Sequence, residues 1–80
     1  MHPKLIHKTN KRLEQICSSL VSEGWSLVIS HGKVGCPANL HEVIRTFRHR
    51  NGGRIGIYVE GATIEIYRNG NLRHSETVSI

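Results

Sequence analysis

Aromatic residues are scarce in this sequence: one Phe, one Trp and two Tyr. A core must therefore rest on Ile, Leu and Val, and an aromatic binding surface has only Trp25, Phe47, Tyr58 and Tyr67 to draw on. Cysteine is limited to Cys17 and Cys36. Two cysteines make no disulfide framework, and with no Cys-x2-Cys and no His-x3-His pair a zinc site has no sequence support. No Gly-Lys-Ser/Thr follows Gly52-Gly53, which removes a phosphate loop. No apolar run approaches the roughly 18 residues of a membrane-spanning helix. Residues 1–12 are basic without the apolar core of a secretory leader, so a reducing, cytoplasmic setting is expected.

Acidic residues are also few. Lys and Arg number 11 against 6 Asp and Glu, a net charge of +5 with pI near 9.8. That balance favours a polyanionic partner, although it also serves solubility. At 80 residues without repeats, linkers or low-complexity segments, 1–80 reads as one small domain, with residues 1–8 able to fray or to extend the first helix from Pro3. A chain of this size buries only roughly 60% of its unfolded surface, which leaves little room for a deep catalytic cavity.

What is present is patterned. Leu13, Ile16, Cys17, Leu20 and Val21 recur at i, i+3, i+4, i+7 and i+8, one stripe of a helix that Thr9 or Asn10 can cap and Gly24 can stop. Trp25 to Ser30 is rich in strand formers, and His31-Gly32-Lys33 turns the chain. Asn39 with Glu42 resembles a capping box, and Leu40, Val43, Ile44 and Phe47 make a second helical stripe ending at Asn51-Gly52-Gly53. From Arg54 to Ile80 three strands alternate around Glu60-Gly61 and Asn69-Gly70. The expected fold is α+β, a two-layer sandwich in the order α-β-α-β-β-β. Its sheet is mainly antiparallel with a C-terminal three-stranded meander, and both helices cover one face.

Register decides what the other face displays. A two-residue Glu60-Gly61 loop pairs Val59 with Ala62, Ile57 with Ile64 and Ile55 with Ile66. At Asn69-Gly70 a two-residue type I′ loop turns Leu72 outward. A three-residue loop with a Gly70 bulge pairs Ile66 with Leu72 and Glu65 with Arg73, and turns Leu72 and Val78 inward. Burying a Leu or Val is worth roughly 1.5–3 kcal/mol, so the bulged register is expected. It also points His74 and Glu76 toward the core, which requires that they lie near its edge.

The outer face then carries Tyr58 and Tyr67 with Arg54 and Arg73, a combination suited to base stacking and phosphate contact. Arg45, Arg48, Arg50 and Arg54 add a basic patch at the end of the second helix, whose plainer reading is a match to the helix dipole. Tyrosine and arginine equally anchor protein partners, and Tyr and Thr are also ordinary strand residues.

The run from the first helix through Glu23-Gly24-Trp25 and a strand to Ser30-His31-Gly32 faintly resembles the opening of small bacterial toxin ribonucleases of the HicA kind. Those carry Gly-Trp after their first helix and a histidine on a following strand. The resemblance implies RNA chemistry at His31. It ends at Gly32: the histidine is expected in a turn, a helix intervenes before the remaining strands, and no closing helix follows. Membership is therefore not assigned.

The function expected is that of a small non-enzymatic, cofactor-free binding protein. DNA or RNA would be held by Arg45, Arg48, Arg50, Arg54, Tyr58, Tyr67 and Arg73. The alternative is a protein-binding regulator or inhibitor using the same sheet face or an exposed sheet edge.

Overall fold

Proline at the first helical position and an imidazole ahead of it start α1, Pro3–Ser22. The His2 Nδ1 accepts a hydrogen bond from the Lys4 amide at 3.1 Å. Thr9 and Asn10 are thus interior helical residues rather than caps, and Thr9 is fully buried. At the other end the Gly24 amide bonds to the Val21 carbonyl and the Trp25 amide to the Leu20 carbonyl, with Gly24 at φ +95°. That pair of bonds is a Schellman stop, which needs a residue free to enter the left-handed region. The computed structural model describes residues 2–35 and 43–80.

Five strands follow among the described residues: β1 (Ser26–His31), β2 (Val43–Arg48), β3 (Arg54–Glu60), β4 (Thr63–Arg68) and β5 (Asn71–Thr77). They form one antiparallel sheet in chain order, with β1 and β5 at its edges. The chain is α+β, with one helix among the described residues rather than the two expected.

The difference lies at Val43–Arg48, expected as helix and found as strand. The apolar spacing of Val43, Ile44 and Phe47 fits a helix, but Val43, Arg45 and Phe47 also alternate with Ile44, Thr46 and Arg48. Three of these six residues are β-branched, which favours the extended form. Long-range pairing decides the matter, since β2 forms ladders with both β1 and β3. The proposed capping box at Asn39 and Glu42 lies outside the described residues. Asn51-Gly52-Gly53 ends no helix. It belongs to the β2–β3 hairpin, closed by the His49 amide on the Gly53 carbonyl at 3.0 Å. His31, expected in a turn, is the last residue of β1.

The core lies between α1 and one face of the sheet. Leu13 and Ile16 of the helix pack with Trp25, Val43, Phe47, Ile55, Ile57, Val59 and Ile64. Cys17 and Leu20 pack at its margin, whereas Val21, expected on the same stripe, is exposed. Burial holds the Cys17 thiol protonated above its ordinary pKa, opposed in part by the nearby Arg45 charge.

Both C-terminal hairpins differ in register from expectation. At the first, Glu60 pairs with Thr63, so the loop is Gly61-Ala62 and Ile57 faces Ile66. The slip is two residues, so every side chain keeps its face. At the second, Arg68 pairs with Asn71, and Asn69 (φ +50°) and Gly70 (φ +84°) both take the left-handed conformation. This is the type I′ turn, not the three-residue loop. Leu72 consequently pairs with Tyr67 and faces outward. A bulge at Arg73 then restores the expected parity, so that Ile66 pairs with His74 and Ile64 with Glu76. His74 and Glu76 do face the helix side, and Val78 packs against the core.

Candidate functional site

The face of the sheet away from α1 is built in rows that run across the strands. Arg48 stands opposite Arg54. The next row is Ile29, Thr46, Gly56, Tyr67 and Leu72, and the one after it is His31, Ile44, Tyr58, Glu65 and Ser75. A final row joins Glu60, Thr63 and Thr77, with the two threonine hydroxyls 3.1 Å apart.

Gly56 sets the position of the tyrosines. A Cβ at residue 56 would lie 3.1 Å from Tyr58 Cε2 and 3.4 Å from its hydroxyl, so the Tyr58 ring leans over the glycine. There it meets the Tyr67 ring edge-on, with centroids 5.4 Å apart and planes at 86°. An edge-to-face pair of this kind is favourable and leaves a ring face free for a planar ligand. The rings, with Thr46, Arg54 and Glu65, line an open groove of about 520 Å³ that runs toward the Asn69-Gly70 turn. The turn itself is tied to β3. Asn69 donates its amide to the Arg54 carbonyl at 3.1 Å and accepts the Arg54 amide on Oδ1 at 3.0 Å.

The electrostatics of the face are uneven. Arg48 and Arg54 lie directly opposite one another, and neither has an acidic partner among the described residues. Like charges opposite one another across two strands are destabilising, and a bound anion would relieve that repulsion. Glu65 sits further along, paired across the strands with Tyr58. It places a carboxylate at the end of the groove away from Arg54.

The structure divides the expected residue set. Arg48, Arg54, Tyr58 and Tyr67 share the open face. Arg50 is exposed in the β2–β3 loop beside it. Arg45 is on the helix side, where its guanidinium donates to the carbonyls of His31 at 2.8 Å, Ile44 at 2.9 Å and Gly32 at 3.1 Å. It ties β2 to the end of β1 and has little left to offer a ligand. Arg73, at the bulge, lines a separate cleft with Ile55, Ile66 and Arg68. The Glu65–Arg73 pair does not form, because Glu65 faces Ser75.

Sequence reasoning missed Thr46, Leu72 and Ile29 on this face. Reading residues 43–48 as alternating would have found Thr46. Arg68 was also missed: its guanidinium carbon lies 5.7 Å from the Trp25 ring centroid, over a ring that also meets His49 edge-on at 5.1 Å. No protein-family profile, curated protein or solved structure matches the chain.

Proposed function

We propose that this chain is a small non-enzymatic binding protein that takes single-stranded DNA or RNA across the open face of its sheet. One observation carries the reading. The Tyr58–Tyr67 pair and Arg54 line one groove, and Arg48 stands opposite Arg54 on the same face of the sheet. Bases stack on the tyrosines while the backbone follows the arginines, with Arg50 beside them. An open antiparallel sheet with half-buried rings at its surface suits unpaired bases rather than a duplex, whose bases are stacked away from such contact. Glu65 falls beside Tyr58 at the end of the groove away from Arg54, where a carboxylate can accept from base N–H groups.

The test is fluorescence anisotropy with labelled oligonucleotides of about twelve nucleotides, within the range of known single-strand sites. Binding is expected near 50 mM salt and weakens as salt rises, because phosphate contacts release counterions. No binding of either DNA or RNA at about 50 mM salt would sink the proposal.

A second reading is a protein-binding regulator. Leu72, 51% exposed beside Tyr67, and the Glu65 carboxylate in the groove favour it. A stoichiometric protein partner that survives nuclease treatment and high salt in a pull-down would select this reading over the first.

A further inference from the structure

Glu65 is a half-buried carboxylate that the fold leaves without a partner. The chain carries 11 Lys and Arg against 6 Asp and Glu. Glu76 is held by Arg12 and His74, and Glu14 accepts from Asn10 Nδ2 at 3.5 Å. Glu65 has no hydrogen bond or ion pair among the described residues, and its cross-strand neighbour in β5 is Ser75 rather than a cation. Among the described residues it is the only carboxylate that lines the tyrosine groove. It stands directly opposite Tyr58, a placement that sets Cβ atoms about 4.5–5.5 Å apart. It also lines the adjoining hollow with Val59, Glu60 and Thr63, so a ligand lying on Tyr58 can reach it. Arg54 lines the same groove, and Arg48 stands opposite Arg54. Those charges repel a cationic ligand, so the donors that suit Glu65 are neutral N–H groups.

We propose that Glu65 makes the groove selective for guanine, accepting from the Watson–Crick edge of a base that stacks on Tyr58. The proposal rests on the single-strand reading above and adds a base preference to it. Guanine presents N1–H and an N2 amino hydrogen side by side, where the two oxygens of one carboxylate can accept both. The other common bases offer no such pair. Adenine and cytosine set a ring-nitrogen lone pair beside the amino group. Thymine and uracil set a single N–H between two carbonyls. In each of these the second carboxylate oxygen faces a lone pair instead of a donor. Hydrogen bonds to an ionised carboxylate are roughly twice as strong as neutral ones, so the second bond separates guanine from the rest. In a duplex that edge is taken by base pairing, whereas in a single strand it is free. The contact involves the base alone and is the same for DNA and RNA.

The test is fluorescence anisotropy of the full chain at about 50 mM salt, where phosphate contacts are strong. The probes are labelled thymine strands of about twelve nucleotides with a central guanine, inosine, adenine or cytosine, or with no replacement, and their uracil ribonucleotide counterparts. The guanine strand should bind about fivefold to a hundredfold more tightly than the all-thymine strand, the range of one bidentate base contact. Inosine keeps N1–H and lacks the N2 amino group, so its strand should fall between the two. Glu65→Gln leaves one acceptor oxygen and should bring the guanine strand down toward the thymine strand, with an unchanged melting temperature. A residue that merely supported the fold would weaken every strand alike. Equal affinity for guanine and thymine strands overturns the proposal. So does inosine matching guanine, tighter binding of adenine or cytosine, or a guanine preference that survives Glu65→Gln. Binding without base preference rejects the guanine contact and leaves the single-strand reading standing, whereas no binding of any strand removes both.

Discussion

Arg12 of α1 holds Glu76 of β5 with two parallel hydrogen bonds, Nε to Oε2 at 2.9 Å and Nη2 to Oε1 at 3.0 Å. The residues are 64 positions apart, so the contact fixes the helix against the far edge of the sheet. His74 Nε2 lies 2.9 Å from the same Oε1. The Arg12 hydrogen bond, assisted by His74 and the surrounding positive charge, holds the Glu76 carboxyl below its ordinary pKa against a smaller opposing effect of burial. A depressed folded-state pKa means that the contribution is present above the unfolded carboxyl pKa and is lost as pH falls through the folded value. Stability should therefore drop on acidification below the ordinary glutamate range near pH 4.3. Glu76→Gln should flatten that part of the profile and cost about 1 kcal/mol or less at neutral pH, because the pair is partly solvated. Urea unfolding at several pH values measures both; an unchanged acid limb in Glu76→Gln would refute the assignment.

Thr9 offers a stabilising substitution. Its side chain is fully buried, and its Oγ1 has no hydrogen-bond partner among the described residues. An orphaned buried hydroxyl costs roughly 1–3 kcal/mol, and valine has the same shape without it. Thr9→Val should raise the unfolding free energy by about 1 kcal/mol with an unchanged denaturant slope. A destabilised variant would mean that the hydroxyl has a partner.

The elements most legible in the sequence were those set by local chemistry. Gly24 stops the first helix, and the alternation of Ile55, Ile57 and Val59 identifies the buried side of β3. The placement of Tyr58 and Tyr67 on the open face survived the error in the Glu60-Gly61 loop, because a slip of two residues preserves faces. The β2 segment was not legible in this way. Val43, Ile44 and Phe47 satisfy a helical stripe, and what makes them a strand is pairing with β1 on one side and β3 on the other. That error carried Arg45 into the candidate site, because a helix end would have exposed it. In β2 it falls on the helix side beside Val43 and Phe47.

Asn69-Gly70 shows turn chemistry prevailing over a burial argument. Counting Leu72 as core favoured the bulged loop, yet the dipeptide adopts the turn for which it is best suited, and Leu72 stays outside. The parity change was deferred to Arg73, which lets Glu76 reach Arg12. Gly70→Ala should cost about 1 kcal/mol, the price of a left-handed L-residue. No heavy atom lies within 4 Å of the added Cβ, so the loss is conformational rather than steric. Thermal unfolding checks the size of the effect, and a neutral result would place the turn in another conformation.

Arg45 should separate structure from binding. Its three hydrogen bonds go to main-chain carbonyls at the end of β1 and in β2. Arg45→Met keeps much of the volume and removes the donors, so a loss of roughly 1–3 kcal/mol in stability is expected. Oligonucleotide affinity of the folded variant should be unchanged. If affinity falls while stability holds, Arg45 contacts the ligand and the assignment of the open face is wrong.

Tyr67→Leu and Arg48→Gln test that face from two directions. Leucine keeps an apolar side chain at position 67 but removes the ring that meets Tyr58 at 5.4 Å. Loss of one stacked base is worth roughly 1–3 kcal/mol, so affinity should fall between about fivefold and a hundredfold with the same salt dependence. Arg48→Gln removes one phosphate contact beside Arg54, so the slope of log affinity against log salt should shallow by about 0.7. It should also relieve the Arg48–Arg54 repulsion, so the free protein should be no less stable. The combination distinguishes the readings of this surface. A protein partner would register the tyrosine change without a counterion-release slope, whereas a nucleic acid must register both.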